Sequence, residues 1–224
     1  MLQIVGSIAD VAEGQTGLVT ERQAAACGAS PAVLNELLED HVIETVIPGV
    51  VRLRGGTRPP FPQLYAHWLL LAPDEPAWER LLPAAGVVSH GAAVRLYAVG
   101  NLPGPAAEFT VPPSHTSTSS QDVLIHHAEL RPQDFREVAG LPVTSPGRTL
   151  VDIAAAGSTD LEGLGRIATN LLQRRLATQA ELAQALEALE LSGTAGTGTG
   201  TDRLSYLLAS VDGTESAANS GEDA

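Results

Sequence analysis

The sequence predicts an α+β chain: an N-terminal winged helix-turn-helix followed by a mixed α/β body that ends in helices. Three observations predict it. Residues 17–54 read as helix, turn, helix and a tight two-stranded ribbon. Short β-branched runs alternate with helical stretches through the middle of the chain. Residues 161–175 and 179–189 then carry apolar residues at three- and four-residue spacing.

The elements follow in order. Leu2 to Glu13 predicts the first helix, with an apolar stripe of Ile4, Val5, Ile8, Val11 and Ala12 and Gly14 as its stop. Thr20 is placed to cap the second helix, and Gln23 three residues on completes a capping-box pattern; Gly28 ends it. Ser30 caps the third helix and Pro31 takes its first position, where a missing N–H costs little. Val33, Leu34, Leu37 and Leu38 share one face of that helix. Val42 to Ile47 and Val50 to Arg54 are strands around the Pro48-Gly49 turn. A helix-turn-helix followed by such a hairpin is a winged helix, a scaffold that usually lays its second motif helix in a DNA groove.

Gly55-Gly56 and the run Arg58-Pro59-Pro60-Phe61-Pro62 read as a stiff linker. They set the expected division into a winged helix-turn-helix domain, residues 1–58, and a partner-binding domain, residues 59–192. Beyond these, residues 193–224 read as a Gly/Thr linker, a short helix with little to pack on, and a disordered acidic tail. In the body, helices are expected over Gln63–Ala72, near Trp78–Leu82, from a Ser89 cap to Tyr97, and from Thr144-Ser145-Pro146 to Ala156. Glu108–Val111 and Asp122–His127 read as strands separated by a polar loop, and Val138–Val143 as a further strand or turn.

Charge restricts function. The chain has 224 residues, 13 basic and 26 acidic, for a net charge of −13, and every basic residue is arginine. The excess is spread: −3 over residues 1–58, −6 over 59–192 and −4 over 193–224. Nucleic-acid affinity rests on cations that displace counterions from phosphates, so any DNA contact here needs a local patch. The best candidates are Arg52, Arg54 and Arg58. Val51 and Leu53 alternate with the two wing arginines, which therefore leave one face of the strand. Arg22 lies on the first helix of the motif, and Asn35 on the outer face of the second. Arg166, Arg174 and Arg175 on the Leu161–Arg175 helix are candidates for a partner surface, although cations in a last turn also complement the helix dipole.

Other motifs read as structural. Cys27, the single cysteine, sits among small apolar residues and permits no internal disulfide. His126 and His127 are neighbours on a strand, so they point to opposite faces and cannot chelate from one side. In Thr144-Ser145-Pro146-Gly147-Arg148 a nucleophilic serine lacks a base. Capping by Thr144 or Ser145, with Arg148 paired to Asp152 at i,i+4, is the stronger reading. No phosphate loop, dinucleotide fingerprint or zinc spacing occurs, so no catalytic residue, metal or cofactor is expected. The longest apolar run, Trp68 to Ala72, is too short to cross a bilayer. With no basic n-region before a hydrophobic run at the N-terminus, the expectation is a cytoplasmic protein.

Five pieces in order carry a family resemblance: GLVTERQAAACGASPAVLNELLEDHVIETVIPGVVRL, VVSHGAAVRLYAVG, TVPPS, LIHHAEL and GLPVTSPGRTLVDIA. With them the chain resembles the AbiEi antitoxins of type IV toxin–antitoxin systems, in the compact actinobacterial form. The resemblance implies repression of the protein's own operon through the winged helix and neutralisation of a nucleotidyltransferase-like toxin through the C-terminal domain. The alternative is a stand-alone winged-helix transcription regulator without a toxin partner. One departure stands out. The outer face of the second motif helix carries Ala32, Asn35, Glu36, Glu39 and Asp40 where such proteins usually carry arginines. Carboxylates can accept from a cytosine amino group but repel the flanking phosphates, so operator binding is expected to be weakened there.

Overall fold

The computed structural model describes residues 1–117, 119–187, 189 and 198–218, with backbone alone over 212–218. The chain divides into two compact units. The first holds Met1–Val88, Pro105–Leu130 and Glu137–Pro142; the second holds Ser89–Gly104, Arg131–Arg136 and Val143–Ala224.

The first unit begins with α1 (Leu2–Glu13), β1 (Leu18–Thr20), α2 (Glu21–Ala26), α3 (Pro31–Glu39), β2 (Ile43–Ile47) and β3 (Val50–Leu53). This is the winged-helix order, and it forms for local reasons visible in the sequence. Thr20 accepts from the Gln23 backbone N–H at 3.0 Å while the Gln23 side chain accepts from the Thr20 N–H at 3.0 Å, the reciprocal box expected. Ser30 accepts from the Val33 N–H at 3.3 Å, and Pro31 opens α3. The core joins Ile8 and Ala12 of α1, Ala24 of α2, Leu34 and Leu37 of α3, and Val19, Ile43 and Val51 of the sheet.

Two features of this module differ from expectation. The ribbon has a third strand, β1, and the sheet order is β1-β3-β2, antiparallel throughout. Leu-Val-Thr is too short to show a period, so the sequence hid it. Gly14 does end α1, but not by turning left-handed: its φ is −71°. A Cβ there would lie 2.4 Å from the Trp78 ring, so the residue is glycine because an indole packs on it.

Residues 55–62, read as a linker, run within the first unit. Pro62 opens α4 (Pro62–Leu70), which packs on all three wing strands. Buried Arg80 closes the far end of α4. Its guanidinium donates to the carbonyls of Trp68, Leu69 and Ala72, each at 2.7 Å, and of Glu75 at 3.2 Å, and lies 4.4 Å over the Trp68 ring. Burial pulls its pKa down to about 10, so it stays charged at neutral pH. The helix expected near Trp78–Leu82 is a single 3₁₀ turn, Ala77–Glu79, after which Leu81 and Leu82 are exposed.

Four strands follow β4 (Val87–Val88): β5 (Ala107–Val111), β6 (Val123–His127), β7 (Phe135–Val138) and β8 (Leu141–Thr144), in sheet order β6-β5-β4-β8-β7. β4 and β5 are antiparallel, whereas β5 and β6 are parallel, from Ala107↔Val123 to Val111↔His127. Thr110, on β5, has a buried hydroxyl with no hydrogen-bond partner among the described residues. Ala139 and Gly140, both at positive φ, turn the chain between β7 and β8.

The second unit is helical: α5 (His90–Tyr97), α6 (Pro146–Ala156), α7 (Leu161–Gln173), α8 (Gln179–Leu186) and α9 (Gly200–Ala218). Ser89 stands at the N-cap of α5 without making a capping bond, its hydroxyl lying 3.0 Å from His90 Nδ1 instead. Ser145 does cap α6, and Arg148 pairs with Asp152 at 2.6 Å as expected.

The expectation that the last helix has little to pack on is corrected. α9 lies along α7 and α8, burying Leu204 and Leu207. A Cβ on Gly165 of α7 would lie 2.2 Å from the Leu207 carbonyl oxygen, so the small residue permits the approach. Arg203 is buried and donates to the Leu186 and Glu187 carbonyls at 2.9 and 2.7 Å, closing the end of α8. The helix also continues through Ala218, into the stretch expected to be a disordered tail. Residues 193–197, which include the first half of the Gly/Thr linker, and residues 219–224 lie outside the described residues.

Candidate nucleic-acid and partner interfaces

The wing arginines are organised by one carboxylate. Glu44 on β2 stands opposite Arg52 on β3. Arg52 reaches it through Nε at 3.0 Å and Nη2 at 2.8 Å, and Arg54 through Nε at 3.4 Å. The two arginines do share a face, as the alternation predicts. Arg52, however, is only 8% exposed, and its Nη1 donates to the carbonyls of Leu53 and Gly56 at 3.2 Å each. It holds the wing together and does not offer a cation to solvent; Arg54 and Arg58 are exposed. The hydrogen bond from Arg52, outweighing burial and joined by the charges of Arg52, Arg54 and Arg58, holds the Glu44 carboxyl below its ordinary range.

Sequence reasoning missed Glu44 for a definite reason. Counting back from the Ile47↔Val50 pair beside the turn would set Glu44 opposite Leu53. A register shift between Thr45 and Ile47 moves it one place, opposite Arg52. A bulge inside a β-branched run leaves no compositional mark.

Arg22 is exposed on α2 and pairs with Asp74 at 2.8 Å, both side chains two-thirds exposed. Asn35 is exposed on α3, as are Ala32, Glu36, Glu39 and Asp40, while Leu34 and Leu37 face the core. The outer face of that helix is therefore acidic.

In the second unit, Arg166 pairs with Glu162 one turn earlier on α7. Helix α7 ends at Gln173, two residues short of expectation; Arg174 is its C-cap and Arg175 follows at φ 56°. Both side chains are exposed beyond the helix end, where positive charge complements the terminal carbonyls. A network that the sequence showed only in part joins Arg131, Asp134, Arg148 and Asp152. Arg131 donates to Asp134 through Nε at 3.2 Å and Nη2 at 3.1 Å, and Arg148 lies 3.6 Å from the same carboxylate. Burial works to raise the Asp134 pKa, but the hydrogen bonds from Arg131 and the charges of Arg131 and Arg148 outweigh it and hold the carboxyl below its usual range. Of the two strand histidines, His126 lies 3.4 Å from Glu108 and His127 3.4 Å from the Pro112 carbonyl, so each faces its own partner.

These features define an α+β chain whose N-terminal helices and strands are compatible with a winged helix and which ends in helices. No helix among the described residues is long and apolar enough to cross a membrane. The model of the AbiEi antitoxin C-terminal domain matches residues 80–210, more than half of the chain. The chain belongs to the AbiEi antitoxin family, which supports an antitoxin role in a toxin–antitoxin system and is not a known enzyme family. The fold is similar to the crystal structure of the Rv2827c protein from Mycobacterium tuberculosis, with a TM-score of 0.52 and 17% identity over 93% of this chain and 77% of that one. No significant match is found among curated proteins.

Proposed function

We propose that this chain is a cytoplasmic type IV antitoxin that neutralises a cognate nucleotidyltransferase-type toxin and represses its own operon through the winged helix. The family match over residues 80–210 carries the first half, and the three-helix, three-strand module at the N-terminus supports the second. On this reading residues 1–58 bind operator DNA and residues 59–192 bind the toxin. Arg22, Arg54 and Arg58 meet phosphates, which position a protein without specifying sequence. Asn35 supplies the polar contact of α3 to a base edge, and Arg52 acts indirectly by fixing Glu44 and the base of the wing. Arg166, Arg174 and Arg175 belong to the toxin-facing surface. The acidic face of α3 makes operator affinity modest, and what affinity the arginines supply falls as salt rises.

Co-expression with the product of the adjacent gene tests the antitoxin half. Relief of growth arrest and co-purification are expected, and arrest that persists despite soluble expression of both proteins would refute it. Gel-shift titration of the protein's own upstream DNA over a salt series tests the repressor half. Replacing Arg54 or Arg58 with alanine removes one cation from the phosphate backbone, and each replacement should flatten the salt slope by about 0.9.

A further inference from the structure

The first unit also contains a cavity of about 530 Å³. It falls within the roughly 300–1,000 Å³ typical of small-molecule sites. The wing turn forms one wall through Ile47 and Pro48. Helix α4 forms another with Gln63, His67 and Leu70, which its four- and three-residue spacing stacks on one face. The approach to β6 supplies Asp122, Val123 and Ile125. Leu70, Leu71, Val123 and Ile125 supply apolar lining, and Asp122, Gln63 and His67 supply polar groups.

Electrostatics select the occupant. No arginine lines the cavity among the described residues, and Asp122 is its one carboxylate. Burial pushes the half-buried His67 imidazole below its ordinary range, against the pull of Asp122, so it is neutral at physiological pH. The wall therefore carries negative charge inside a chain of net charge −13. A phosphate or carboxylate meets repulsion there, whereas a cation meets a carboxylate, and the lining also holds a neutral imidazole and an amide oxygen that can accept N–H groups.

We infer that this cavity binds a small apolar amine, with its ammonium group at Asp122 and its hydrocarbon part against Leu70, Leu71, Val123 and Ile125. The site needs neither DNA nor a toxin and stands apart from the reading above. Its occupant touches Ile47 and Pro48, and so meets the turn that joins the two strands carrying Glu44 and Arg52.

The test uses the full chain with methyl-labelled leucine and isoleucine, titrated by NMR with phenethylamine and, in parallel, with 2-phenylethanol and phenylacetate. Phenethylamine should give saturable shifts at Leu70, Leu71 and Ile125, with binding about tenfold tighter than that of the uncharged alcohol and no saturation with the acid. Asp122→Asn, at an exposed site, should weaken phenethylamine about tenfold and leave the alcohol unchanged, with the thermal midpoint as the check on folding. Leu70→Trp, which narrows the cavity, should weaken both phenethylamine and the alcohol. Shifts that never saturate, equal binding of the three probes, or undiminished phenethylamine binding in Asp122→Asn would overturn the inference.

Discussion

The wing and the ends of two body helices employ the same residue type in opposite ways. On the wing, arginines meet a carboxylate: Arg52 and Arg54 converge on Glu44, and Arg54 remains exposed. At the ends of α4 and α8, Arg80 and Arg203 meet backbone carbonyls and are buried. A helix leaves its last carbonyls without intrahelical donors, and a guanidinium with five N–H groups can satisfy several at once. In a chain without lysine, a tally of positive charge thus overstates what is available to phosphate. Arg52, Arg80 and Arg203 are engaged internally, and Arg22 and Arg54 carry acidic partners.

The largest effect expected from this contrast is at Arg80. Arg80→Met keeps the apolar stem and strips four carbonyls of their donor, two of them in the buried end of α4. A loss of about 3 kcal/mol is expected in denaturant unfolding. A loss below about 1 kcal/mol would mean that water replaces the guanidinium and would erase the distinction. Arg203→Met, where one nitrogen serves two carbonyls, should cost about 1–2 kcal/mol and loosen α9, seen as faster amide exchange in that helix.

A third test uses pH. Asp134 has its folded-state pKa depressed, so its contribution is complete above the unfolded carboxylate value and is lost as pH falls through the folded one. Unfolding followed across the acid range should show the wild type losing more stability than Asp134→Asn. Parallel curves would disconnect Arg131 and Arg148 from folding. The smallest effect is on the wing. Arg54→Ala with Arg58→Ala should change stability by no more than about 0.5 kcal/mol. It should nonetheless flatten the salt dependence of operator binding by about 1.8. A large stability loss there would place these arginines with Arg80.

The sequence made the motif helices legible because their signals are local. Thr20 with Gln23, and Ser30 with Pro31, are capping patterns four residues wide or less, and the stripes of α1 and α3 recur within each helix. What stayed hidden depended on distant partners. β1 is recognisable only once β3 lies beside it. Trp78 explains Gly14 from more than sixty residues away. The role of α9 follows from carbonyls at the end of α8 and from Gly165 on α7. At the wing, the alternation correctly set Arg52 and Arg54 on one face, but the bulge that brings Glu44 opposite Arg52 could not be counted from composition. The acidic outer face of α3 was read correctly, since exposure there follows from helical periodicity alone.

The first unit is assembled from three separate stretches of chain, the last of which ends at Pro142. During synthesis the three helices and wing leave the ribosome first, yet β5, β6 and the final stretch arrive only after the α5 segment of the second unit has already been made. The nascent chain therefore carries an incomplete first unit while the α5 segment of the second is being made. Truncation at residue 58 or 88 would release a fragment that ends before its own unit is finished.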